Sequence, residues 1–261
     1  MGVVYHGSKE HGLKRIEPRK STHGKYVYAT EDRALAIHFS GRCGDDLTYD
    51  LGHFDVDREG PWQLVENIPG AFEKMYANNS SIYTLSDETF EDAHTGFREV
   101  LSKTGVDVQG EELCPNVYEA ILQLEKDGLL EIYRYPSKPA GLSMDGSHIL
   151  DKMRHYKYDM GAKFNVHQFD RLAYLHPGLL PQINELADEF GVDVHYEIVD
   201  LVDLFRERVQ RQLRDPEREQ FIDSSYISIC RAYPELKPFV EEIYRAYCEE
   251  VIKKQAKNRQ I

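Results

Sequence analysis

The side chains best suited to chemistry in the first thirty residues stand at the ends of two short apolar runs. Val3-Val4-Tyr5-His6-Gly7-Ser8 finishes in an imidazole, a glycine and a hydroxyl, and Gly24-Lys25-Tyr26-Val27-Tyr28-Ala29-Thr30 carries two phenols and a second hydroxyl. Gly7 has no Cβ, so its backbone N–H and C=O can approach a planar carboxamide closely and bind it at two points. Tyr26 and Tyr28 alternate with Val27 and therefore share one face of a strand. A phenol ring there is a platform for a pyridinium, through stacking and cation–π attraction. Ser8 adds a short donor and acceptor for a ribose or a phosphate.

The order Tyr-His-Gly-Ser, a basic loop, then Gly-Lys-x-Val-Tyr-Ala-Thr before a helix resembles the ADP-ribosyltransferase fold, in its His-Tyr-Glu branch shared by diphtheria-type toxins and the poly-ADP-ribose polymerases. The likeness covers about forty residues well, the first half of the chain loosely and the second half not at all. In that branch the histidine and glycine hold the adenosine ribose and the nicotinamide amide, a tyrosine stacks on the nicotinamide, and a glutamate opening a later strand holds the nicotinamide ribose. The resemblance therefore implies that NAD, as substrate, is bound by His6, Gly7, Ser8, Tyr26, Tyr28 and Thr30. It implies a catalytic set of His6, Tyr28 and Glu99. Cleavage of the nicotinamide–ribose bond creates an oxocarbenium-like centre that a carboxylate stabilises electrostatically. The leaving group is already cationic and requires no general acid.

Both runs are rich in β-branched and aromatic residues and read as strands. Thr30 is expected to cap the helix over Glu31–Phe39, with acidic residues in its first turn. Gly41 to Gly60 reads as an acid-edged hairpin with Phe54-Asp55-Val56 as its second strand, and it lacks the regular spacing of a calcium loop. Further on, Ser81–Leu85 is a strand, Ser86–Phe90 a turn that pins Phe90 on the core, and Phe97–Ser102 a strand near whose start Glu99 falls. Glu112 and Glu131, the latter inside the strand Leu129–Tyr135, are the rival acids. Asn116 to Gly128 spells a capped helix with Gly128 past its end. Pro136-Ser137-Lys138-Pro139-Ala140-Gly141 reads as a linker.

Beyond it, helical spacing covers 145–160, 179–190, 198–213, 216–232 and 234–257, while Val192–Val199 alternates as a strand would. The final helix is expected to bury Phe239, Ile243, Tyr247 and Val251. His148 and His155 lie seven apart on one helix face and read as two solvent-facing histidines. The expected fold is α+β, with an ADP-ribosyltransferase-like split β core over residues 1–140 and a mostly α-helical region over 141–261.

The 261 residues are 41% hydrophobic, enough for a substantial core. A net charge of −13 argues against a general nucleic-acid binder or a ligand of anionic membranes. Residues 1–42, however, carry eight Lys/Arg against four Asp/Glu, a net of +4 that suits a pyrophosphate. The four cysteines form no CxxC pair and read as reduced thiols. No apolar run approaches the ~20 residues of a membrane span, and no signal peptide opens the chain, so the expected location is cytoplasmic. Dinucleotide-fold glycine fingerprints, a P-loop, zinc spacing and a nucleophile elbow are missing. Two functions are consistent with these features. One is an NAD-dependent ADP-ribosyltransferase, or NAD glycohydrolase relative, acting on an unspecified acceptor. The other is a catalytically silent module of that type that binds a nucleotide or a protein.

Overall fold

The computed structural model describes residues 2–21, 24–41, 43–54, 60–94, 98–216 and 221–258. The class is α+β, built on antiparallel strands and helices. Its strands are β1 (Val3–Ser8), β2 (Arg15–Ile16), β3 (Arg19–Ser21), β4 (Gly24–Thr30), β5 (Tyr49–Gly52), β6 (Trp62–Glu66), β7 (Ser80–Ser86), β8 (Glu91–Asp92), β9 (Glu99–Ser102), β10 (Val106–Cys114) and β11 (Leu130–Tyr133). Interleaved with them are the helices α1 (Arg33–Phe39), α2 (Ala71–Met75) and α3 (Val117–Lys126). The main sheet runs β2-β10-β7-β1-β4-β9-β8, with β3 hairpinned onto β4. A smaller sheet, β11-β6-β5, pairs β11 parallel and β5 antiparallel to β6.

The pairing of β1 is lopsided. It matches β7 along its whole length, from Val3↔Ser86 to Ser8↔Ser81, but meets β4 at a single register point, Tyr5↔Thr30. β4 in turn pairs β9 over four residues, from Val27↔Ser102 to Thr30↔Glu99. The two strands singled out by their chemistry thus touch at one point and then part. Alternation explains how the rest of the sheet is sealed. Val4, Val27, Ala29, Tyr83 and Leu85 bury one face together, while Tyr5 turns the other way onto the core beneath α1 and α3.

The helical half comprises α4 (Ser147–Tyr158), α5 (Val166–Leu175), α6 (Leu180–Phe190), α7 (Asp200–Arg214), α8 (Ile222–Ala232) and α9 (Lys237–Asn258). It has its own core around Phe169, Leu172, Ile183, Leu201 and Phe205. Tyr174, Leu175 and Phe221 belong instead to the core beneath the sheet, so the two halves share buried surface. Residues 136–141, expected to be a linker, are mostly exposed, with Pro139 buried and contacts at Lys138 and Gly141. Lys138 donates to Asn67 Oδ1, and a Cβ on Gly141 would fall 1.6 Å from the Phe54 carbonyl oxygen.

Several local expectations are corrected. The cap of α1 is Asp32, whose carboxylate accepts from the Ala34 N–H, and no acidic residue lies in the first turn; Thr30 stays in β4. Helix α5 has no counterpart in the sequence reading, although Asn165 and Gln168 form a capping box at its start. Val192–Val199 is irregular rather than a strand. There the Asn184 side chain accepts from the Tyr196 N–H and donates to its carbonyl, replacing a partner strand. On α9 the inward residues are Val240, Ile243, Tyr244 and Tyr247, while Phe239 is 60% exposed. The Asp55-Val56 part of the expected hairpin strand and Phe97 lie outside the described residues; β5 and β6 form the hairpin that is described.

Candidate functional site

Where β1 and β4 part, a cavity of about 470 Å3 opens, lined by His6, Gly7, Ser8, Tyr26, Tyr28 and Phe39 among others. The His6 ring crosses the gap, its Nδ1 lying 2.6 Å from the Tyr28 carbonyl oxygen. A carbonyl only accepts, so Nδ1 carries the proton and Nε2 is left as an acceptor. Burial lowers the His6 pKa, which keeps the ring neutral. A ligand hydroxyl is the natural donor to such a nitrogen. The Ser8 hydroxyl accepts from the Glu10 N–H and stabilises the turn that leaves the strand. The Tyr26 and Tyr28 rings meet edge to face with centroids 6.0 Å apart.

Gly7 has a packing role. A Cβ there would lie 2.1 Å from the Ala36 carbonyl oxygen and 2.9 Å from the Ser40 Cβ, so the last turn of α1 rests directly on the strand. That turn also carries Phe39, a wall of the cavity. Gly7→Ala is expected to cost about 1–3 kcal/mol through overpacking, read as a lowered urea midpoint. A variant as stable as the wild type would mean that α1 slides freely on β1.

The cationic side chains near the cavity are already engaged. Arg15 bonds Glu17 at 2.9 Å and Asp107 at 2.7 Å, and Arg19 holds both oxygens of Glu10 at 2.8 and 3.0 Å. The loop after β1 is fastened by Glu111, one oxygen of which accepts from the Gly12 N–H, the Ser81 hydroxyl and the Tyr83 hydroxyl. These donors hold its carboxyl below the usual range.

Glu99 opens β9 directly opposite Thr30, on the strand paired with the tyrosine strand. It lines not the His6 cavity but a neighbouring one of about 390 Å3, which it shares with Tyr49, Asp50, His148, Lys152 and Tyr156. Phe39 borders both. Thr30 is buried, accepts from the Asp32 N–H and is absent from either lining. Glu131 lies in the smaller sheet, where it accepts from Gln63 at 3.0 Å and Tyr133 at 3.2 Å. Glu112 sits on β10 and is paired to Arg33. Five of the expected residues, His6, Gly7, Ser8, Tyr26 and Tyr28, therefore come together, with Glu99 next to them across Phe39.

Two features of this region escaped the sequence reading. Phe39 carried a usable signal, an aromatic ending the helix that follows the tyrosine strand. The buried network around Asp50 carried none, because its members are far apart in the chain. Asp50 accepts from Lys152 at 2.6 Å, Asn67 at 2.6 Å and His148 at 3.1 Å. His148 is thus turned inward, against its expected exposure, while His155 stays outside with Asp159. Among the described residues no group of three or more His, Cys, Asp or Glu is arranged to hold a metal ion. Nor is any described helix long and apolar enough to cross a membrane. Neither a family model, nor a curated protein, nor a solved structure matches the chain.

Proposed function

We propose that the chain is an NAD-dependent ADP-ribosyltransferase or an NAD-cleaving relative, with NAD lying across Phe39 between the two cavities. The observation that carries this reading is the gathering of His6, Gly7, Ser8, Tyr26 and Tyr28 around one opening in the sheet, beside a strand that Glu99 begins. In it the neutral His6 accepts from a ribose hydroxyl through Nε2, and the aromatic rings hold the nicotinamide by its face. Glu99 bonds the nicotinamide ribose and stabilises positive charge at its anomeric carbon as the nicotinamide leaves. ADP-ribose then passes to an acceptor, or to water in a glycohydrolase. The ADP-ribosyltransferase-like split core belongs to the same proposal, and the single-point contact of β1 with β4 supports it.

The test is a titration with NAD that follows binding by calorimetry and nicotinamide release by chromatography. His6→Ala is expected to abolish binding. Glu99→Gln is expected to bind NAD and to slow release by about a hundredfold or more. Failure of the wild-type protein to bind NAD would end the proposal. A silent binding module is the second reading, favoured by the prior engagement of Arg15 and Arg19 and by the separation of Glu99 from His6 across Phe39. Binding by the wild type without release would select it.

A further inference from the structure

A third, partly open pocket lies where the segment after β11 meets the start of α4, the turn between α5 and α6, and α8. Its volume is about 230 Å3. An apolar cavity of about 150 Å3 admits benzene, so the space suits a compact molecule somewhat larger than one ring.

Four polar groups in its lining lack the partners that buried or charged groups ordinarily have. Ser228 is 7% exposed, yet among the described residues its hydroxyl makes no hydrogen bond. His176 is 9% exposed; its Nε2 donates to the Leu47 carbonyl at 2.7 Å, which leaves Nδ1 an acceptor with no partner among the described residues. Neither atom is sealed from solvent, so each is left for water or a ligand to partner. The other two are cations. The Lys138 ammonium reaches Asn67 Oδ1 at 3.4 Å and lies 3.2 Å from His148 Nε2, which donates to Asp50 and so offers it no lone pair. The Arg231 guanidinium lies 5.0 Å over the Tyr135 ring. Neither forms an ion pair among the described residues. Of the acids, Asp50 is shared among Lys152, Asn67 and His148, and Asp145, also in the lining, attracts Lys138 without an ion-pair contact while accepting from the Ser147 N–H at 2.9 Å.

We propose that this cavity is a binding site for a small organic anion that also carries a hydroxyl, its anionic group facing Lys138 and Arg231 and its hydroxyl donating to His176 Nδ1, with Ser228 completing the contacts. The site is separate from the His6 cavity and does not depend on the NAD reading. A carboxylate and a phosphate monoester share this chemistry, and the test distinguishes them.

The full chain is titrated by calorimetry with L-malate, with glycerol 3-phosphate, with inorganic phosphate and with neutral glycerol. One of the two organic anions is expected to saturate with a Kd of about 1 mM or tighter, and its identity names the anionic group. Arg231→Gln, at an exposed position where folding is not at stake, is expected to weaken it about tenfold. Ser228→Ala should weaken it severalfold without changing the urea midpoint. Glycerol should give no heat. The proposal is overturned if neither organic anion saturates below about 10 mM, if both variants bind as the wild type does, or if inorganic phosphate binds as tightly as glycerol 3-phosphate.

Discussion

Acidification from pH 6.5 to pH 4 is expected to remove about 3 kcal/mol of stability at each of two buried histidines, His38 and His176. Burial is the first cause in both, lowering each pKa from 6.5 to about 4. His38 is enclosed by Tyr49, Phe39 and Tyr76, with its Nδ1 2.6 Å from the Tyr76 hydroxyl. Around His176, Lys138, His148 and Lys152 further disfavour a positive ring, against the opposing pull of the Leu47 carbonyl. The direction follows from proton counting. Below pH 6.5 the unfolded chain takes up a proton at each histidine, whereas the folded protein does so only near pH 4. The stabilisation is therefore complete above pH 6.5, falls as the pH drops and levels off near 4. Urea denaturation at about pH 7.5 and about pH 4.5 measures it as a shift of midpoint. His176→Gln should flatten the dependence, and a midpoint that does not move between these values would refute the assignment.

Asp50→Ala is expected to cost about 3 kcal/mol, the lower end of the range for removing one partner of a buried ion pair. The lower end applies because Lys152 keeps about a quarter of its side chain exposed and can turn to water once released. Asn67 Nδ2 loses its acceptor, and His148 Nε2 is left with the long contact to Asn67 Oδ1 at 3.4 Å. Lys152→Met should cost less, because Asp50 keeps its bonds to Asn67 and His148. The same contacts hold the Asp50 carboxyl far below the ordinary carboxylate range despite burial. Its contribution is present above pH 3.8 and is lost as the pH falls through the folded-state value, so it adds to acid unfolding after the histidines have acted. Equal unfolding free energies for Asp50→Ala and the wild type would show that the network is ornamental to stability.

What the sequence makes legible here is what lies close together along the chain. The strands ending at Ser8 and Thr30 follow from β-branched and aromatic runs, and helix α3 follows from the Asn116 cap and the left-handed Gly128. The common side of Tyr26 and Tyr28 follows from alternation alone. Less legible is whatever is decided by distant neighbours. Val192–Val199 alternates as a strand does, but an asparagine on α6 satisfies the backbone of Tyr196 within it. The expected stripe on α9 begins with Phe239; packing against α7 and α8 buries its neighbour Val240 instead. Asp50 and His148 are 98 positions apart, and nothing in either neighbourhood announces the other. Glu99 is correctly expected at the opening of its strand, yet its separation from the His6 cavity depends on Phe39, the last residue of another element.

Strands in a ladder stand about 4.8 Å apart, a spacing fixed by backbone atoms and indifferent to side-chain identity. Past Tyr5 and Thr30 the distance between β1 and β4 is governed differently, by an imidazole reaching from one strand to a carbonyl of the other. The width of the opening is therefore written in a side chain. A shorter residue at position 6 removes the spacer and lets the strands close toward ladder distance. A phenylalanine preserves the bulk but has nothing to offer the carbonyl. Aperture and recognition are vested in the same ring, so position 6 cannot drift in one without altering the other.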